Sequence, residues 1–203
     1  MLQLSRIVLT TLTFVVLCLG AAASTQADTI TFNGSREFSG GRGPVPDPVR
    51  CGPFPPNLFL NDTPGIGTSN LGSFTSTESR CINTTTGNLF NGLFTFDFGG
   101  GNTFFGTNVG TTVGIPLLLP PPPGTILTVT FNFTLTGGTG RFVNASGNLL
   151  GTGTVTVNPL PIGDSSRIDI NGTITTVPEP ATMLLLGTGL AGVVAKVRKR
   201  RKE

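Results

Sequence analysis

The chain contains no histidine, so its acidic side chains are the remaining candidates for catalysis. Without histidine, Ser-His-Asp and Cys-His catalytic arrangements are impossible, and the common Cys/His zinc sites are excluded. Two carboxylates about 5 to 9 Å apart can hydrolyse a glycosidic bond, and Glu37 with Glu78 is a pair that the chain could supply. Nothing in the sequence indicates that they converge, so we expect solvated loop carboxylates and no enzyme.

A metal site has equally little support. The loop Asp97-Phe-Gly-Gly-Gly-Asn102 offers oxygen ligands of the kind that calcium prefers, but it lacks the alternating Asp-x-Asp-x-Asp spacing. We therefore expect no metal ion and no cofactor.

Cys51 and Cys81 are the two cysteines that remain after the predicted removal of an N-terminal signal peptide. In an oxidising compartment two cysteines have one possible pairing, which predicts a Cys51–Cys81 disulfide. Closing a loop of about 30 residues would stabilise the fold by roughly 3 to 4 kcal/mol. A catalytic cysteine is the alternative, but the chain lacks the histidine that usually activates it.

Apolar residues that alternate with threonine predict the elements that carry these side chains. From Thr125 to Thr136 every second residue is apolar, which in an extended chain places all of them on one face. A helix would scatter them around its circumference. Similar alternation occurs at Phe94–Phe98, Thr154–Val157 and Arg167–Ile174.

Turns are predicted at Gly137-Gly138, Asn144–Gly147 and Gly163-Asp164, where glycine or asparagine tolerates a positive φ. Short strands about ten residues apart predict an all-β fold, an antiparallel β-barrel or sandwich, for residues 28–176. Gly40–Pro56 and Leu117–Gly124 are too rich in proline for a sheet interior, and we interpret them as an irregular loop and a stiff spacer.

The N-terminus has the features of a secretory signal peptide, predicted over residues 1–27. Arg6 precedes an uncharged, mostly apolar stretch from Ile7 to Leu19, and small residues follow. We place the cleavage after Ala27, with Ala23 as the second choice. An uncleaved anchor is the alternative, although the stretch is short for a membrane span.

The C-terminus, residues 177–203, combines three features in order. Pro178, Glu179 and Pro180 cannot lie inside a helix, so the chain is extended and accessible there. A transmembrane helix is predicted at about 181–197. It is slightly short for a bilayer, but flanking basic side chains can extend towards the interface. A basic stop-transfer tail stays cytoplasmic by the positive-inside rule and places the body outside. Its cations are Lys196, Arg198, Lys199, Arg200, Arg201 and Lys202.

This tail accounts for the basic character of the whole chain, whose formal net charge is +3. The segment 28–176 has six arginines and eight carboxylates, a net charge of −2. It contains no stripe of basic and aromatic residues, which argues against nucleic acid as a partner.

The order of Pro178-Glu179-Pro180, apolar run and basic cluster resembles the PEP-CTERM sorting signal of exported bacterial proteins. The resemblance implies recognition of these three residues by an exosortase, a membrane-embedded processing enzyme that is thought to cleave near them. It also implies a Gram-negative host that makes exopolysaccharide. The protein would stay in the inner membrane until processing and then reach the cell surface or the medium. A plain single-pass anchor without processing is the alternative.

A second resemblance concerns Leu135-Thr-Gly-Gly-Thr-Gly-Arg-Phe142, whose Gly137–Phe142 part is followed by Asn144-Ala-Ser-Gly147. It is similar to a turn of the allene oxide cyclase and dirigent barrels and implies a small antiparallel barrel. The activities of those proteins do not follow from it, because the chain has no tyrosine or tryptophan.

Two classes of function remain after these steps. The first is a non-catalytic surface or biofilm-matrix protein that associates with exopolysaccharide. The second is an extracytoplasmic small-ligand binder or a barrel enzyme of the allene oxide cyclase type. An interior filled by side chains would favour the first class, whereas a deep pocket of about 300 Å³ or more with converging polar groups would favour the second. We expect the first.

Overall fold

A computed structural model describes residues 27–41, 45–61, 64–114, 122–158 and 163–177. Most of the predicted signal peptide, the whole Pro-Glu-Pro segment, the predicted transmembrane helix and the basic tail lie outside these ranges. Among the described residues, no helix has the length and apolar character that a membrane crossing requires. Asp28–Thr176 folds as one unit.

The described residues of this unit form nine strands and two short helical turns. The strands are β1 (Asp28–Gly41), β2 (Asn57–Asn61), β3 (Gly65–Ser69), β4 (Gly72–Asn83), β5 (Asn88–Asp97), β6 (Thr103–Val113), β7 (Ile126–Gly138), β8 (Ser146–Thr156) and β9 (Asp164–Thr176). The helical turns are α1 (Pro48–Cys51) and a 3-10 turn at Gly140–Phe142. The all-β prediction is confirmed, and each of the four predicted strands corresponds to an observed one.

All nine strands belong to one antiparallel sheet in the order β2-β4-β3-β1-β9-β8-β7-β6-β5. Strand β4 also pairs with β5, so the sheet returns on itself. It is not a regular barrel, because two strands share one edge of β4. Strand β3 pairs with the first part of β4, and β2 pairs with its last part.

One face of the sheet, here called the inner face, holds the core. Strand β7 shows why the sequence folds this way: Val129, Phe131 and Phe133 are at most 3% exposed, whereas the alternating Thr128 and Asn132 are exposed. The period of two in the sequence therefore becomes a period of two in burial. This confirms the predicted strand and its buried side.

Phenylalanine rings fill one end of the inner face. Phe104 is fully buried, with ring centroids 5.1 Å from Phe96 and 5.2 Å from Phe142. Such separations are typical of favourable aromatic pairs. Gly151 provides space for this packing, since a Cβ atom there would lie only 2.8 Å from the ring of Phe133. The rings leave little room for a ligand at this end.

The predicted turns are confirmed in two of three places. Asn144, Gly147 and Gly163 all have positive φ angles. The turn predicted at Gly137-Gly138 is wrong, because both residues continue β7 and pair with β6. The chain turns at Gly140 instead, with φ of 58°.

A disulfide joins Cys51 and Cys81, as the sequence predicted, with a Cα–Cα distance of 5.5 Å. It connects α1 to the C-terminal end of β4. Asp47 caps α1 by accepting a hydrogen bond of 3.0 Å from the backbone N–H of Arg50. The proline-rich loop is therefore held to the sheet through its one helical turn.

Candidate functional site

Six exposed side chains form a continuous row across the outer face, the side of the sheet opposite the core. Each belongs to a different strand, and each is the register partner of the next. In order from β8 through β9, β1, β3 and β4 to β5, this outer row consists of Thr154, Arg167, Glu37, Ile66, Thr75 and Asp97. The sheet therefore brings together side chains that lie far apart in the sequence.

An ion pair lies within this row. Arg167 donates a hydrogen bond of 2.5 Å from Nη1 to Oε1 of Glu37, and the two side chains are 65% and 56% exposed. At this exposure an ion pair contributes little to stability, roughly 0 to 1 kcal/mol. The pair is accessible to a ligand from the solvent.

Two open clefts adjoin at this pair. The first has a volume of 570 Å³, and hydroxyl groups from Ser39, Thr154, Thr156 and Ser165 line it. The second has a volume of 640 Å³ and extends towards β5, with hydroxyl groups from Ser35, Thr68, Ser73 and Thr75. Glu37, Ile66 and Arg167 line both clefts. Through these shared residues the two clefts form one groove along the outer row.

Glu37 and Glu78 do not form a catalytic pair. Glu37 points from the outer face of β1 and is exposed, whereas Glu78 points from the inner face of β4 and is 3% exposed. The sheet separates the two carboxylates. They also lie in strands, so the expectation that they occupy loops is wrong.

Glu78 instead belongs to a buried ionic cluster. Its Oε1 lies 2.8 Å from Nη2 of Arg36, and its Oε2 lies 3.1 Å from Nη1 of Arg80. These atoms are in ion-pair contact without hydrogen-bond alignment. The guanidinium of Arg80 also lies 4.6 Å from the centre of the Phe131 ring, within cation–π range.

Burial dominates the ionisation of this cluster. It raises the pKa of Glu78, and the nearby Arg36 guanidinium only partly opposes the increase. It also lowers the pKa of Arg36, which Glu78 partly opposes. For Arg80, burial and then repulsion from Arg36 hold the pKa well below its usual range. Keeping these three groups charged therefore costs free energy, because burial removes the water that would solvate them.

Uncharged polar groups share the inner face with this cluster. Ser76 precedes Glu78 by two residues on the same face of β4, and Asn108 lies on the inner face of β6. Both are 1% exposed, and their side-chain polar atoms have no hydrogen-bond partner among the described residues. Ser76 pairs with Phe96 and Asn108 with Phe133, so these polar groups lie beside phenylalanines on the inner face.

The Asp97–Asn102 loop is organised by its own hydrogen bonds. Asp97 accepts a hydrogen bond of 2.8 Å from the backbone N–H of Gly99, and Asn102 donates one of 3.0 Å to the carbonyl of Gly99. In the described part of the chain, no three Cys, Asp or Glu side chains are grouped as metal ligands. The loop forms a tight turn at the end of the outer row.

The predicted sorting residues follow directly after the last strand. Strand β9 ends at Thr176, and Val177 is the last described residue, so Pro178, Glu179 and Pro180 lie outside the described part. The family model of the PEP-CTERM protein-sorting motif matches residues 176–201. The chain carries a PEP-CTERM sorting motif. This motif marks an exported protein that is processed by an exosortase, and it begins where the folded sheet ends.

The match covers only the C-terminus of the chain. The searches of curated proteins and of solved structures found no significant match to this chain. The similarity to the allene oxide cyclase and dirigent turn therefore remains a resemblance of a short segment.

Sequence reasoning identified the sorting motif but missed both residue groups on the sheet. Alternation could have revealed the buried cluster, since Arg36 follows Phe32 by four residues and Glu78 follows Phe74 by four. A charged residue in phase with buried phenylalanines is expected to point inward. No comparable signal in the sequence reveals the outer row, because it depends on how the strands pair.

Proposed function

We propose that this chain is a non-catalytic surface or extracellular-matrix protein of a Gram-negative bacterium. An exosortase processes its C-terminus, and the exported body associates with exopolysaccharide. Before processing, the predicted helix at 181–197 holds the protein in the inner membrane. The observation that carries the proposal is the sorting motif at residues 176–201.

Three further observations support a non-catalytic role. The chain has no histidine. One end of the inner face is packed with phenylalanine side chains, and the two clefts open on the outer face. The alternative, a small-ligand binder or an allene oxide cyclase-like enzyme, would need an enclosed pocket around the buried polar groups of the inner face.

Fractionation of the producing cells tests this proposal. Antibodies against the segment 28–176 would locate the protein in membranes, the cell-surface polysaccharide or the medium. We expect the wild-type body in the polysaccharide fraction and a Glu179→Ala variant retained in the membrane. Wild-type protein confined to the membrane, with the same distribution as the variant, would contradict the proposal.

A further inference from the structure

The groove on the outer face has the chemistry of a carbohydrate-binding surface. We propose that it binds a neutral polysaccharide chain, laid across the strands along the outer row. The inference rests on the proposed function, because only an exported body would meet such a polymer.

The polar groups of the groove can match the hydroxyl groups of a sugar. Serine and threonine hydroxyls line both clefts, and each can donate one hydrogen bond and accept others. The Glu37–Arg167 pair adds carboxylate acceptors and guanidinium donors beyond the one hydrogen bond that joins them. Hydrogen bonds with a charged partner are about twice as strong as neutral ones. The pair is thus placed to anchor a polyol at the junction of the two clefts.

Ile66 supplies an apolar surface beside this pair. It is 70% exposed although it is a large apolar residue, and it lines both clefts. A single exposed apolar residue is common on protein surfaces, but Ile66 lies where the two clefts meet and would contact any ligand that occupies both. The C–H face of a sugar ring would cover Ile66 while the ring hydroxyls reach Glu37 and Arg167.

Charge distinguishes between classes of polymer. Among the side chains that line the two clefts, Glu37 and Asp97 are acidic and Arg167 is basic, so the groove has a net charge of −1. An anionic polysaccharide would be repelled by the acidic excess. A neutral polymer meets no such barrier.

The shape of the site favours an extended ligand. The outer row crosses six neighbouring strands. At about 4.8 Å between strands, the row is roughly 24 Å long. A polymer chain can contact both clefts, whereas a single sugar would occupy only one of them.

Affinity electrophoresis tests the proposal with the full chain, purified in a polyoxyethylene detergent that contains no sugar. Native gels would contain dextran or mannan as neutral polymers and alginate as an anionic one. We expect dextran or mannan to retard the wild-type protein through the groove. Alginate can bind the basic tail at 196–202, so its retardation should be the same in the wild-type protein and in variants of the groove. Arg167→Ala and Ile66→Ser should each weaken binding, Arg167→Ala by about tenfold or more. Val113→Ser is the matched control, because Val113 is 68% exposed and lies outside both clefts, and its binding should be unchanged.

Three outcomes would overturn the inference. One is that neither neutral polymer retards the wild-type protein. Another is that Ile66→Ser abolishes retardation by alginate, which would place an anionic polymer in the groove. The third is equal binding by the wild-type protein and both groove variants, which would place the site elsewhere. Any of these could occur while the C-terminus is processed normally, so failure of the inference differs from failure of the proposed function.

Discussion

Replacement of two adjacent phenylalanines tests which face of β6 is buried. Phe104 is fully buried, whereas Phe105 is 39% exposed on the opposite face. Phe104 contacts five other rings, with centroids between 5.1 and 6.4 Å away. Phe104→Ala would remove these contacts and leave a cavity, at a cost of about 3 to 5 kcal/mol in the free energy of unfolding. Phe105→Ala should cost only about 1 to 2 kcal/mol, because part of its ring is already in water.

Urea unfolding of the two variants and the wild-type protein measures this difference. For a chain of this size, about 3 to 5 kcal/mol corresponds to a melting temperature lower by roughly 6 to 20 °C. The slope of the free energy of unfolding against urea concentration, the m value, should be the same, because all three proteins expose a similar area on unfolding. A larger loss of unfolding free energy in Phe105→Ala would show that β6 presents its other face to the core. Equal losses in the two variants would also contradict the assignment of Phe104 to the buried face.

Three further changes test other parts of the structure. Replacing Cys51 and Cys81 with alanine should lower the free energy of unfolding by about 3.6 kcal/mol for a separation of 30 residues; urea unfolding that shows no loss would contradict the stabilising role. Gly151→Ala should cost about 1 to 3 kcal/mol, because the added Cβ lies 2.8 Å from the ring of Phe133, and thermal unfolding would detect it. Burial raises the pKa of Asp164, so its native form binds a proton more tightly than the unfolded chain does. Its contribution to stability should then fall as the pH rises from about 4 through the raised value. Urea unfolding at several pH values should show that the free energy of unfolding decreases less with rising pH in Asp164→Asn than in the wild-type protein. An equal or larger decrease in the variant would contradict the raised pKa of Asp164.

The strand pattern explains which parts of the fold the sequence could predict. In β7 the alternation of phenylalanine and threonine is nearly unbroken, so local geometry decides both the strand and its buried side. Gly137 and Gly138 show the limit of local rules. Two glycines normally favour a turn, but pairing with Phe105 and Phe104 keeps both in the strand.

The outer row could not be predicted because its geometry depends on contacts that are distant in the chain. Glu37 and Arg167 are 130 residues apart and meet only because β1 pairs with β9 in one register. A shift of one residue would turn one side chain to the opposite face. The sorting motif is the opposite case, because its three parts are consecutive and recognisable without any fold.

Mass spectrometry of the C-terminus tests whether an exosortase processes this protein. The protein would be purified from wild-type cells and from cells that lack the exosortase gene. We expect the wild-type protein to end near Pro178, Glu179 and Pro180, at the start of the matched motif, whereas the protein from exosortase-deleted cells should retain the predicted helix at 181–197 and the basic tail. Wild-type protein that retains the predicted helix and the basic tail would contradict processing and leave an ordinary membrane-anchored protein.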